Sequence, residues 1–302
     1  MSDEKKKGLT RRETTLAVAG LAGVAAVGGV MVTRANPNRM PVAFVPHGGG
    51  PWPFIDLGVG PKDQENRLRE YLVSVGSVPK TKPKALLVIS AHWEEAVPTV
   101  MTSPKPPMLY DYSGFPPESY EVQWPAPGAP DVAKRVRSLL EAAGIPSAED
   151  NARGFDHGTF VPFKLAWPNA DIPTLQLSLK AGLNPEQHLA IGRALAPLRD
   201  EGVFILGSGM TFHNLRAFFN GSGVGASEAF DAWLQETMKL PTAQRDARLV
   251  EWAKAPGGRA SHPREEHLVP LMVIAGAAGD DPASIPYADR YVDVRLSAYH
   301  FG

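Results

Sequence analysis

One stretch constrains the fold more than any other. Ala85-Leu-Leu-Val-Ile89 is an unbroken apolar run that ends abruptly in Ser90-Ala-His92-Trp93-Glu94. A short run of this kind reads as a strand buried on both faces, as in a parallel sheet. Polar groups at the carboxyl end of such a strand lie where open α/β sheets place their ligands. The pattern recurs twice. Val42-Ala-Phe-Val45 ends in Pro46-His47-Gly48-Gly49-Gly50, and Gly202-Val-Phe-Ile-Leu206 ends in Gly207-Ser-Gly-Met-Thr-Phe-His213-Asn214. Parallel strands finish on one edge, so three imidazoles are expected to converge there. A single strand-end histidine is usually a satisfied structural group. Three in the same role point to a metal or acid–base site.

The remaining pattern predicts an α/β fold. We expect a single domain over 40–302 with a central, mostly parallel sheet flanked by helices and the metal site at the C-terminal edge of the strands. Gln64 to Val75 has helical spacing, with Leu68, Tyr71, Leu72 and Val75 on one face. Asp131 to Ala143 is a helix stopped by Gly144, and Pro185 to Asp200 is another. Helical patterns also cover Phe230 to Lys239, Ala243 to Ala255 and the apolar Leu268 to Ala277. Ile172 to Leu179 and Tyr291 to Leu296 alternate like strands, the second closing the chain. Residues 98–130 are rich in proline and carry Tyr110, Tyr112, Phe115, Tyr120 and Trp124. They are expected to form a loop, either walling a flat substrate or packing on its own aromatics.

Composition removes several chemistries. The 302 residues contain no cysteine, which excludes disulfides, thiolate nucleophiles, Fe–S clusters and Cys-ligated zinc. Any metal must be held by His, Asp or Glu. A net charge of −1, with no basic block beyond the N-terminus, argues against nucleic-acid binding. Ser90 and Ser208 lack the elbow glycines, two residues to either side, that a hydrolase nucleophile needs, so a serine hydrolase is not expected.

Residues 1–36 are read as standing outside the fold. Lys5-Lys-Lys7 and Thr10-Arg11-Arg12-Glu13-Thr14-Thr15-Leu16 precede an uncharged run, Leu16 to Val32, rich in Ala, Gly and Val. This resembles a twin-arginine export signal, which would engage the twin-arginine machinery and carry a folded protein to the periplasm. The alternative is an uncleaved N-terminal anchor. Either way, membrane contact is expected only through this segment.

The histidines differ in promise. His47 stands before three glycines, which suits close approach to a ligand, a plain turn or an anion nest. His92 is pre-positioned by its strand. His213 ends a glycine-containing loop, where Asn214 is placed to orient it. His157 follows Asp156, a candidate partner for its ring N–H. His267 is expected at the mouth of a helix whose polar first turn is Arg264-Glu265-Glu266. His262 is either a loop residue or a substrate contact, His188 is expected on a solvent face, and His300 is taken as incidental.

Five of these segments occur in one order: Phe44-Val-Pro-His47-Gly, Ile89-Ser-Ala-His92-Trp93, Gly154-Phe-Asp-His157-Gly, Ser208-Gly-Met-Thr-Phe-His213-Asn-Leu-Arg216 and His262-Pro-Arg-Glu-Glu-His267-Leu-Val-Pro270. Together they resemble the class III extradiol ring-cleavage dioxygenases, specifically the 4,5-DOPA dioxygenase-like (DODA) branch. Tyr110-Asp-Tyr-Ser-Gly-Phe-Pro116, Tyr120 and Trp124-Pro-Ala-Pro-Gly128 match that branch as well. The resemblance implies that His47, His92 and His267 hold one divalent metal. It implies that His213 is the acid/base beside it, and that His157 contacts substrate or dioxygen. Three neutral imidazoles suit Zn²⁺ as well as Fe²⁺. Ring cleavage by dioxygen requires a redox metal, so Fe²⁺ is expected for turnover and Zn²⁺ in purified protein. The implied substrates are a catechol-type, DOPA-like aromatic diol and O₂, with the ring opened beside the diol. The export-type N-terminus lies outside the branch pattern. Two other readings stay open on the same fold: a metal-dependent hydrolase and a catalytically silent metal- or ligand-binding protein.

Overall fold

The computed structural model describes residues 39–302; the segment read as an export signal or anchor, residues 1–36, lies outside them. In chain order the elements are β1 (Val42–Pro46), α1 (Lys62–Ser74), β2 (Ala85–Glu95), β3 (Thr99–Met101), α2 (Pro130–Ala142) and β4 (Ala148–Asp150). Next come α3 (His157–Ala166), β5 (Thr174–Lys180), α4 (Pro185–Leu195), β6 (Val203–Gly209), α5 (Leu215–Phe219) and α6 (Val224–Met238). The chain ends with α7 (Thr242–Val250), α8 (Gly258–Ser261), α9 (Val269–Ala278), β7 (Ala283–Tyr291) and β8 (Val294–Phe301). The strands form one sheet in the order β4-β3-β5-β2-β6-β1-β8-β7. Its centre is parallel: β6 lies between β2 and β1, and β2 also pairs in parallel with β5. The β3/β5, β1/β8 and β7/β8 pairs are antiparallel.

The apolar runs form strands because both faces of the sheet are covered. Along β1 and β2 alternate residues enter different cores, as a period of two requires. Val42, Phe44, Leu87 and Ile89 pack under α2, α4 and α9. Ala43, Val45, Leu86 and Val88 pack under α1 and α3. Leu86 to Ile89 are fully buried, and each such side chain contributes roughly 1.5–3 kcal/mol from leaving water. Every residue of α9 is buried, which explains its lack of a polar face. Its last carbonyls would be orphaned in that setting. Two buried arginines satisfy them: Arg199 donates to Ala277 O (3.0 Å) and Arg245 to Ala275 O (2.8 Å) and Gly279 O (3.2 Å).

Four expectations are corrected. Residues 98–130 are not all loop, since β3 pairs with β5 and β4. The expected strand Tyr291 to Leu296 straddles a hairpin turn. Val292 (φ 47°) and Asp293 (φ 66°) both adopt left-handed backbone there without glycine, so the turn left no sequence mark. The helix expected to reach Asp200 gives way at Ala196–Arg199 to a 3₁₀ turn containing Pro197, whose ring blocks continued α-helix. His188 is fully buried rather than solvent-facing; it accepts from Lys180 N (3.0 Å) and its Nδ1 donates to Asn184 O (2.8 Å). Among the described residues no helix is long and apolar enough to cross a membrane.

Candidate metal and acid–base site

The strand registers bring the three strand-end segments together. Ser90 of β2 is level with Ser208 of β6, which is level with Val45 of β1, so His92 and His47 project from one edge. Gly48 turns the chain after His47 with φ +76°, where a Cβ would sit 2.4 Å from the Trp52 ring. His267 arrives from the turn before α9, and its carbonyl accepts from Met210 N (2.9 Å). Only glycine at 209 permits that approach, because a Cβ there would lie 2.1 Å from His267 O. His213 is tied by its N–H to Ser261 O (2.9 Å). His157 opens α3 beside His92, with ring centroids 4.0 Å apart.

On four of the five rings a hydrogen bond at Nδ1 fixes which nitrogen carries the proton. The Ser208 hydroxyl donates to Gly158 O. It can therefore only accept from His47 Nδ1 (3.0 Å), leaving the His47 Nε2 lone pair free. One carboxylate oxygen, Glu266 Oε1, accepts from both His267 Nδ1 (2.9 Å) and His213 Nδ1 (3.0 Å). Those two rings stack with centroids 3.3 Å apart and planes 15° from parallel. Asp111 Oδ1 accepts from His157 Nδ1 (2.8 Å) and from the His157 backbone N–H (2.9 Å), while Asp111 Oδ2 stands 3.5 Å from His92 Nδ1. The free edges then meet: His47 Nε2 and His92 Nε2 lie 3.1 Å apart.

Electrostatics keep these rings in the ligand form. Burial, followed by repulsion from His92, His267, His157 and His213, pushes the His47 pKa well below the usual imidazole range. Burial, then His213, His92 and His157, does the same for His267. Burial and the His157 charge bring His92 down to about 3 against the pull of Asp111. Burial works to raise both carboxyls. The hydrogen bond and charge of His157, with that of His92, nonetheless hold Asp111 at about 2, and the His213 hydrogen bond, with Arg264, holds Glu266 low. Neutral imidazoles backed by ionised acceptors are what a divalent cation needs. Three buried imidazoles that converge, with ionised carboxylates behind two of them, form a donor set that fits a metal. His47, His92 and His267 could hold one ion, and so could sets built on Asp111 or Glu266.

The structure gathers all five singled-out histidines, His47, His92, His157, His213 and His267, around one cleft of about 290 Å³. The others stand apart from it. His262 is buried between Phe230 and Trp252 and bonds to Thr211 O (3.0 Å), so it is no substrate contact. His300 is a buried partner of the Tyr71 hydroxyl (2.9 Å). Asp156 is not the partner of His157. Its carboxylate is taken by Ser90, Gln176 and Arg153, and Asp111 does the orienting instead. Nor does Asn214 orient His213, for it caps α5 and donates to Ala260 O while Glu266 holds the ring. The aromatic loop does both things expected of it. Tyr112 and Phe115 line the cleft, and Tyr110 and Tyr120 pack behind Tyr112.

Glu266→Gln should weaken divalent-metal binding by about 10–100-fold, the usual effect of losing a partner that orients a ligating histidine. Competition with a chelator would measure the loss, and an unchanged affinity would remove Glu266 from the site.

A family model described as the catalytic LigB subunit of aromatic ring-opening dioxygenase matches residues 44–297, and the chain belongs to that family, on its 4,5-DOPA dioxygenase-like branch. The chain is 42% identical over 203 residues to the 4,5-DOPA dioxygenase extradiol of Portulaca grandiflora, covering 66% of this chain and 74% of that one. It is 41% identical over 245 residues to the protein of the same name from Beta vulgaris, covering 79% and 87%. A crystal structure of an uncharacterized protein from Escherichia coli K12 superposes with a TM-score of 0.72 at 31% identity, covering 87% of this chain and 100% of that one. The branch expected from the ordered histidine segments is thus borne out.

Proposed function

We propose that this protein is a metal-dependent extradiol dioxygenase that opens the ring of a catechol with O₂. The carrying observation is the convergence of three buried imidazoles at the cleft floor, where the Nε2 atoms of His47 and His92 lie 3.1 Å apart with the His267 ring beside them. His47, His92 and His267 would hold the ion, Fe²⁺ for turnover and Zn²⁺ in purified protein. When bound, Fe²⁺ would supply the Lewis acidity and redox chemistry that a diol and O₂ require.

The remaining roles belong to the chain. His213 Nε2 takes the proton of the second hydroxyl, and Glu266 at Nδ1 stabilises the imidazolium that forms. His157, oriented by Asp111, presents Nε2 to substrate or dioxygen from the opposite side. Met210, Tyr112 and Phe115 hold the flat ring and exclude water. Both atoms of O₂ enter the product, and cleavage beside the diol leaves an aldehyde and a carboxylate.

The test is anaerobic loading with Fe²⁺, then a catechol panel on admission of oxygen. One O₂ consumed per diol with a new semialdehyde absorbance is the expected result. Ester hydrolysis with Zn²⁺ and no oxygen uptake would favour the hydrolase reading. Metal and diol binding without any turnover would favour the silent binder. We further propose that residues 1–36 direct twin-arginine export, on the strength of Arg11-Arg12 ahead of an uncharged run. Changing both arginines to lysine should retain the protein in the cytoplasm, and an unchanged periplasmic yield would point to the anchor instead.

A further inference from the structure

The cleft is unusually poor in charge for a site whose relatives are named for an amino-acid diol. Among the described residues, no Lys, Arg, Asp or Glu side chain lines it. Asp111 and Glu266 stand behind the imidazoles and are occupied by them. Of the two tyrosine hydroxyls, that of Tyr112 is committed to Ser119 O (2.5 Å), and the Tyr291 oxygen accepts from the Gly49 N–H, so neither brings a charge to the cleft. From the buried histidine floor outward, the wall becomes Leu57, Val59, Leu215, Phe218, Phe219 and Val292. Leu215 and Phe219 are 54% and 67% exposed, and only Val73 joins them as a large exposed hydrophobic among the described residues. Large apolar side chains left in water at the rim of a pocket mark a contact surface for something apolar.

We infer that the diol taken by this site carries an uncharged, apolar substituent, an alkyl or aryl chain, rather than the zwitterionic side chain of DOPA. The inference rests on the diol reading above and specifies its substrate class. With the two hydroxyls directed at the imidazole floor, a ring substituent leaves along the Leu215 and Phe219 rim. A chain lying there removes apolar surface from water on both partners. An ammonium and a carboxylate there would shed water without gaining a partner.

The experiment uses the Zn²⁺-loaded full chain under nitrogen, so that binding is read without turnover. Calorimetry would compare catechol, 4-ethylcatechol, 4-butylcatechol, 3-(3,4-dihydroxyphenyl)propionate and L-DOPA. Affinity should climb by roughly threefold per buried methylene, so 4-butylcatechol should bind at least tenfold tighter than catechol, and L-DOPA no tighter than catechol. Phe219→Arg, at an exposed position that does not support the core, should weaken 4-butylcatechol severalfold and improve the propionate. Tightest binding of L-DOPA or the propionate to the parent would overturn the inference, as would no binding of any diol or a Phe219→Arg protein with unaltered preferences. Oxygen uptake by the Fe²⁺ form separates the two ideas. Turnover of every diol without a chain-length trend leaves the dioxygenase reading standing and sinks this one. An apolar ladder in binding with no oxygen uptake does the reverse.

Discussion

Replacing His92 by alanine is expected to give a folded protein that no longer retains one equivalent of divalent metal through dialysis, with ring opening lost alongside it. The backbone around His92 should survive the change. Its carbonyl accepts from Arg153 (3.1 Å) and its N–H donates to the Ser90 hydroxyl (3.2 Å), and alanine keeps both. What disappears is one of the two ring nitrogens that lie 3.1 Å apart. Four-ligand zinc sites bind with about 10–16 kcal/mol. Losing one of three protein ligands should therefore lower affinity on the order of a hundredfold or more. Elemental analysis decides the matter: a His92→Ala protein with full metal content would mean that the ligands lie elsewhere.

His213→Ala is expected to act on rate. The site already offers three converging imidazoles, and an enzyme that must also admit substrate keeps coordination positions open. A fourth ring sharing its carboxylate with His267 and stacked upon it is suited to carry a proton. The variant should keep metal and catechol binding while losing about 10²–10⁴-fold in ring-opening rate. If His213 is instead a resting-state ligand that moves aside for substrate, metal affinity falls too. If the protein is a silent binder, neither parent nor variant turns over. Titration of metal and catechol under nitrogen, then oxygen, gives each case a distinct signature. A variant as fast as the parent would remove His213 from the chemistry.

The sheet edge was legible because a strand buried on both faces is continuously apolar, so the first polar residues after Val45, Ile89 and Leu206 point to it, although β2 itself runs on to Glu95. The carboxylates behind the imidazoles were not. Asp111 lies 46 positions from His157 and Glu266 lies 53 from His213, and no local pattern links such partners. Asp156 looked better placed only because it is adjacent in sequence. At the start of α3 its side chain turns into the interior while the ring of His157 turns to the cleft. The one available hint for Glu266 was its position directly before His267. For Asp111 it was an acid set between two tyrosines. His188 was misplaced because its role is to receive a backbone N–H from β5, a tertiary demand that helical spacing does not record.

The final strand, β8, pairs with β1, the first, and His267 lies near the end of the chain while His47 lies near its start. At a synthesis rate of about 5–20 residues per second, roughly ten to forty seconds separate the appearance of these two histidines. A nascent chain thus exposes a two-imidazole fragment, with its helix α9 and closing hairpin still missing. On the proposed ligand set, metal uptake at full affinity then requires that synthesis has passed His267. A product truncated before His267 would hold metal poorly and present an open sheet edge to the cell's proteases.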